Sequence, residues 1–233
     1  MRLTPIHALI ASVVSVGMSA GNVKAQSEPL TIAVLPFEDR GSYGQDKEVF
    51  RALELGIPSI LAAELAKNPR VRLADPSRLA KAVESENLGD DARMDAATAG
   101  RIGSQAGARY ALTGTFADFY GKFRVDARLV DVSNGQIVKV VSNNDPKLQD
   151  RADLYRIIQD LSGRVSAAAG LPVPQGTPQA RGRIIPTEAL THYSFGLLSE
   201  NEGDKAKARD HYQRALTAFP DFAEAREGMQ RSR

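Results

Sequence analysis

RYALTGTF (Arg109–Phe116) followed by ADFYGKFRVDARLVDVSNGQIVKVV (Ala117–Val141) is the stretch that decides the fold. Phe123, Val125, Ala127 and Leu129 alternate with Arg124, Asp126 and Arg128. A period of two places one apolar set on one face of a strand and the charges on the other. Asn134-Gly135 sits between two runs rich in β-branched residues, the strongest short hairpin signal, and predicts a turn with positive φ at both positions. Tyr120-Gly121-Lys122 predicts a second, weaker turn. Three consecutive strands follow, a meander whose apolar face needs helices to cover it.

Working towards the N-terminus, MDAATAGRIGSQAG (Met94–Gly107) reads as a helix. Its Gly100, Gly103 and Gly107 do not form a phosphate cradle, which requires a strand before the loop and, in a P-loop, Lys-Ser/Thr at its end. Small residues at helical spacing instead predict close packing on the sheet. Asp75-Pro76 is an N-cap followed by a proline at the first helical position, opening a helix with Leu79, Ala82 and Val83, closed by Asn87-Leu88-Gly89. Arg70 to Leu73 is a short strand. Leu53, Ile57, Ile60, Leu61 and Leu65 recur at helical spacing, and Asn68-Pro69 stops that run. Gly56 and Pro58 within it predict a kink or two short helices. LTIAVLPF (Leu30–Phe37) reads as a buried strand ending at Pro36. Glu38 to Asp46 is either a functional loop beyond the strand end or an ordinary connector.

The extreme N-terminus is expected to be a secretory signal, residues 1–25. Arg2 is the positive n-region, Ile6 to Val16 the apolar h-region, and Val23-Lys24-Ala25 fits the small-x-small cleavage rule. Arg2 and Lys24 would leave with it and no acid would. The 30 Lys and Arg residues then fall to 28, equal to the 28 Asp and Glu. A chain of zero formal charge has no nucleic-acid footprint. There is no cysteine, hence no disulfide, thiolate metal site, cysteine nucleophile or lipidated cysteine. Localisation in the periplasm is the resulting expectation.

Beyond the meander, Leu154, Ile157, Ile158, Leu161, Val165 and Ala168 mark a helix running to about Gly170. LPVPQGTPQARGR then supplies the breakers of a linker, residues 171–185. From Ala189 the chain reads ALTHYSFGLLSENEGDKAKARDHYQRALTAFPDFAEA. Gly196, Gly203-Asp204, Ala208, Tyr212, Ala215 and Pro220 fall at the spacing of a tetratricopeptide repeat, which this segment resembles. A single repeat cannot bury its own faces, so it must dock on its own domain, a second copy or a partner. If it binds peptides, the repeat geometry would place Tyr193, Leu197, Glu200 and Asn201 on its inner face. These four are the candidate partner-binding residues.

Catalytic chemistry finds little support. His192 and His211 are the histidines outside the signal, one on each helix of the repeat, and no further ligands are evident for a metal. Asp126 and Asp131 differ by five, which puts them on opposite faces of a regular strand and argues against an acid–base pair. Glu48, Glu54 and Glu64 read as the solvated face of a helix. No G-x-S-x-G or H-E-x-x-H signature occurs. No catalytic residue, cofactor or metal is expected.

The order strand, helix, strand, helix, helix and meander is carried by IAVLPFED, LAAELAKN, VRLADPSRL, AATAGRIGSQAGARYALTGTF and RLVDVSNGQIV. In these stretches the chain resembles the CsgG/HfaB family, with its related FlgO- and TolB N-terminal-like modules. The resemblance implies an α/β (α+β) domain over residues 26–170, a mixed sheet ending in the meander and covered by helices. A small helical hairpin over residues 186–233 follows it. It also implies a role in the bacterial envelope: the best-known member is the oligomeric outer-membrane channel for curli subunits, and relatives are scaffolds or regulators of envelope assembly. Channel members are lipoproteins with membrane hairpins added to the core; here there is no cysteine and the soluble sheet uses every strand. The expected function is therefore a non-catalytic envelope scaffold making contacts with other envelope proteins or with itself. A subunit of a curli-type channel and a hydrolase with an unrecognised site are the alternatives.

Overall fold

The computed structural model describes residues 28–44, 46–87, 93–143, 147–172 and 183–233. The expected signal, the Leu88-Gly89 helix stop and the body of the expected linker, 173–182, lie outside the described residues. The sheet is built from β1 (Leu30–Asp39), β2 (Val71–Leu73), β3 (Tyr110–Phe119), β4 (Lys122–Asp131), β5 (Gln136–Ser142) and β6 (Gln149–Asp150). Their order is β2-β1-β3-β4-β5, with β6 also on β4. β1 runs parallel to β2 and β3, whereas β3, β4 and β5 form the antiparallel meander. Four helices belong to this part: α1 (Lys47–Ala66), α2 (Pro76–Ser85), α3 (Ala96–Gln105) and α4 (Leu154–Ala168). Three more close the chain: α5 (Thr187–Asn201), α6 (Lys205–Ala218) and α7 (Ala223–Arg231). The architecture is a mixed α+β fold.

The period-two reading of β4 decides which helices go where. Phe123, Val125, Ala127 and Leu129 are buried with Leu112 and Phe116 of β3, beneath Leu53, Ile57 and Leu61 of α1 and Ile157, Ile158 and Leu161 of α4. The opposite face is covered by α2 and α3: Val130, Ala111 and Leu35 pack with Ala82, Ala99 and Ile102. A Cβ on Gly103 would lie 2.8 Å from Val132 Cγ1 and 2.9 Å from Ala111 Cβ, so α3 rests on the sheet at glycine distance. The Asp75 cap follows the sequence, and Asp95 adds a second that caps α3. Asp75 Oδ1 accepts from the Arg78 amide at 2.9 Å, and Asp95 Oδ1 from the Thr98 amide at 2.7 Å.

Four local expectations change. β1 does not end at Pro36: its register shifts between Val34 and Phe37, and pairing with β3 resumes through Asp39. The shift places Pro36 where the ladder is already interrupted, so its missing N–H removes no regular bond. α1 is one helix through Gly56 and Pro58, both buried, rather than two short ones; Gly56 is closed against Ser194 of the C-terminal helix that packs on it. The two turns exchange types. Tyr120 and Gly121 both have positive φ, 55° and 87°, whereas at Asn134-Gly135 only Gly135 does. With Asp131 paired to Gln136, the second turn spans four residues, and the Gly135 amide donates to the Asp131 carbonyl at 2.8 Å. Finally, Glu64 is not on a solvated face. It is 8% exposed and accepts from the Tyr155 hydroxyl at 2.7 Å and from Lys67 Nζ at 2.6 Å.

The C-terminal helices join the same core. Ile185, Ala189, Leu190, Tyr193, Tyr212 and Phe222 are contiguous with the sheet-facing residues of α1 and α4. α5 lies along α1, with the Ser59 and Tyr193 hydroxyls sharing a 2.7 Å hydrogen bond and Arg51 pairing with Glu202 at 3.0 Å. Between α5, α6 and α7 the Tyr212 ring is held by two glycines: a Cβ on Gly228 would meet the ring at 2.5 Å, and Gly196 faces its other side equally tightly.

Candidate partner-binding groove

Helix α2 covers the sheet incompletely. Its apolar residues are Leu79, Ala80, Ala82 and Val83, yet only Ala82 is buried. Leu79 and Val83 are half-buried and Ala80 is exposed, which leaves an apolar strip beside α1. The docking of α5 on α1 raises a second wall opposite this strip. Between them lies a groove of about 720 Å³. Its floor is Val34, Leu35 and Pro36 of β1 with Leu55, Pro58 and Ala62 of α1. Its walls are Leu79, Ala80 and Val83 on one side and Leu197 on the other, with Glu84, Glu200 and Asn201 at the rim. An apolar trough with a polar rim is the geometry that receives an amphipathic helix or an apolar side-chain row from another protein.

The structure brings together three of the four residues singled out in the tail. Leu197, Glu200 and Asn201 line the groove. Tyr193 stands behind the wall, 3% exposed, with its ring 4.9 Å from that of Phe222 and 5.9 Å from that of Tyr212. Burial pushes its phenol up to about 12, partly opposed by the Ser59 hydrogen bond. Glu200 is fixed rather than free: the Tyr212 hydroxyl donates to it at 2.6 Å, and Arg231 to both its oxygens at 3.0 and 3.1 Å. Burial alone would raise its carboxyl, but the Arg231 and Tyr212 bonds hold it below the usual range. The rim therefore presents an ionised, oriented carboxylate. The sequence reading did not assign α2 to this site. The available signal was a helix with three strong apolar residues next to a strand too short to bury them.

Among the described residues, the remaining titratable groups do not converge as catalytic machinery. Asp126 bonds Arg124 at 2.8 Å and Asp131 bonds Arg109 at 2.6 Å. Glu54 is raised by burial, although it accepts the Asp39 amide at 3.0 Å. His192 and His211 are tilted to each other with ring centroids 5.9 Å apart, and His211 stacks on Phe195 at 5.1 Å. Among the described residues no three His, Asp or Glu side chains gather as a metal site. No helix among them is long and apolar enough to cross a membrane.

One family model matches the chain, over residues 57–138. The match is to LpoB, a peptidoglycan-synthase activator. It runs from the middle of α1 to β5 and so includes the α2 wall of the groove and Pro58 and Ala62 of its floor, but not β1, Leu55 or α5. This overturns the resemblance to CsgG/HfaB. VRLADPSRL, AATAGRIGSQAGARYALTGTF and RLVDVSNGQIV, which carried that resemblance, all lie within the residues matched to LpoB, and the curli channel and curli transport fall with it. The reason is physical: an order of strands and helices identifies an architecture that many envelope modules share, not a function.

Solved structures similar to this chain include the LpoB C-terminal domain from Salmonella enterica. It is 18% identical over 49% of this chain and 80% of that one, with a TM-score of 0.33. TolB from Acinetobacter baumannii is 19% identical over 62% of this chain and 29% of that one, with a TM-score of 0.40. Lipoprotein GNA1162 from Neisseria meningitidis is 18% identical over 49% and 78%, with a TM-score of 0.38. No curated protein matches the chain.

Proposed function

We propose that this protein is a non-catalytic component of the bacterial cell envelope that binds a peptidoglycan synthase and stimulates it, in the manner the LpoB name describes. The match of residues 57–138 to that family carries the reading. The geometry supports it: an apolar groove with a fixed carboxylate rim, and no converging acid, base and nucleophile among the described residues beside it, suit protein contact better than chemistry. In this reading Leu197, Glu200 and Asn201 contact the synthase together with Leu79 and Val83, while Tyr193 holds α5 in position. The C-terminal helices act as a tetratricopeptide-like unit docked on α1. Periplasmic residence follows from the expected signal, and no cofactor takes part.

The test is a glycan-polymerisation assay. A purified peptidoglycan synthase from the same cell is supplied with its lipid-linked precursor, with and without this protein. Binding in the low-micromolar range or tighter, with a several-fold rise in polymerisation rate, is the expected result. A synthase that neither binds the protein nor changes rate in its presence would overturn the proposal.

A further inference from the structure

Beside the hairpin that joins β3 to β4, two tyrosine rings stand in solvent: Tyr120 is 84% exposed and Tyr43 57%. Their centroids lie 5.9 Å apart with planes 18° from parallel, and Tyr43 is also 5.8 Å from Phe119. The backbone under the pair is pinned to β3. The Tyr43 amide donates to the Asp118 carbonyl at 2.8 Å, and the Ser42 hydroxyl accepts the Asp118 amide at 2.9 Å. Tyr120 keeps a positive φ of 55°, which asparagine or glycine adopts at lower cost. A strained residue that buries so little of its ring marks function rather than packing.

This platform adjoins a polar cavity of about 260 Å³ between the start of α1 (Asp46, Val49), Arg151 and the start of α5 (Glu188, Thr191, His192). Arg151 joins the two. Its amide donates to the carbonyl of Gly121, next to Tyr120, at 2.7 Å, and its guanidinium pairs with Asp118 at 2.9 Å and Asp46 at 3.3 Å. α5 begins here with no side-chain cap, which adds the positive end of a helix to the lining. Nδ1 of His192 is buried without a hydrogen-bond partner among the described residues, which leaves Nε2 as its accessible nitrogen.

These charges specify the ligand. An anion would meet Asp46 and Glu188, and a cation would meet Arg151 and the end of α5. A neutral group rich in hydroxyls meets neither cost and finds donors and acceptors together. The cavity is smaller than the roughly 300–1,000 Å³ of a drug-sized site, so it takes a single ring, and Val49 is the apolar contact suited to a methyl group. The exposed faces of the tyrosines suit the C–H face of a second ring. We propose that this is a glycan-binding site: one N-acetylhexosamine ring sits in the cavity with its acetyl methyl against Val49, and a β-linked neighbour stacks on the Tyr43–Tyr120 pair. A β-linked chain is extended and keeps its rings flat, as a path from cavity to platform requires. The site shares no lining residue with the groove between α2 and α5. It does not rest on the synthase reading, because the free sugar is the ligand tested.

The experiment is an NMR titration of the ¹⁵N-labelled protein with chitotetraose, a β-linked N-acetylglucosamine tetramer. Maltotetraose, which is α-linked and lacks the acetamide, and tetralysine are titrated beside it. Chitotetraose is expected to shift the amides of Tyr120, Gly121, Arg151, Glu188, Thr191 and His192, and the other two to leave them in place. Tyr120→Asn, a change at an exposed position that suits the positive φ, is expected to weaken binding about fivefold or more, and His192→Ala to weaken it similarly. Both variants are expected to keep the β3 amide shifts of the parent, which separates lost binding from lost fold. No response to chitotetraose at millimolar concentration, a footprint away from the cavity and hairpin, an equal response to maltotetraose or tetralysine, or undiminished binding by either variant would each overturn it.

Discussion

Gly56 of α1 and Ser194 of α5 meet at a point where no side chain fits between the helices: a Cβ on Gly56 would stand 2.7 Å from Ser194 Cβ, and closer still to its hydroxyl. Ser194 is buried, and its hydroxyl donates to the Leu190 carbonyl at 2.8 Å. Helix propensity favours alanine over glycine by about 1 kcal/mol, but overpacking at a closed contact costs about 1–3 kcal/mol. Clash therefore wins. Gly56→Ala is expected to lower the thermal midpoint, and adding Ser194→Gly, which removes the opposing Cβ, to recover at least half of the loss. A thermal melt of the single and double variants checks it; no recovery would mean that Gly56 matters for another reason.

The groove between α2 and α5 yields a binding prediction. Leu79→Glu and Leu197→Glu place charges on half-buried positions of its two walls. Each is expected to weaken capture of a peptidoglycan synthase by tenfold or more while changing unfolding free energy by less than about 1 kcal/mol, since neither residue is fully buried. Biosensor affinities beside chemical denaturation separate the two effects.

Tyr120 occupies the left-handed region at φ 55° and is 84% exposed, with its ring 5.9 Å from that of Tyr43. A bulky residue there carries about 1–2 kcal/mol of strain, and asparagine tolerates the conformation better. Tyr120→Asn is expected to raise stability by up to about 1 kcal/mol by denaturant titration. A loss would show that the exposed ring pair outweighs the strain.

His211 provides a pH dependence. Burial, with His192 beside it, holds its imidazole below the ordinary histidine range. The unfolded chain takes up a proton near pH 6.5, and the folded chain only at lower pH. Between those two values the unfolded state binds more protons, so stability is full above about pH 6.5 and falls as the pH drops through the window. His211→Gln is expected to flatten that slope. Melts from pH 7.5 to 5, with the imidazole followed by NMR, measure both halves of the statement.

The sequence by itself determined what local chemistry controls. The alternation from Phe123 to Leu129 set the face of β4, Asp75-Pro76 set a helix start, and the glycines of α3 set its close approach to the sheet, because each depends on neighbours within a few residues. The family could not be read from an order of elements alone. Tertiary structure decided the rest. It kept α1 whole through Pro58, made Tyr120-Gly121 the tighter turn, and buried Glu64 against Tyr155, ninety-one residues away. It also seated α5 on α1, and only that contact turns the half-covered apolar strip of α2 into a groove. Period and propensity act along the chain, whereas a groove or a buried carboxylate exists only once distant segments share a surface.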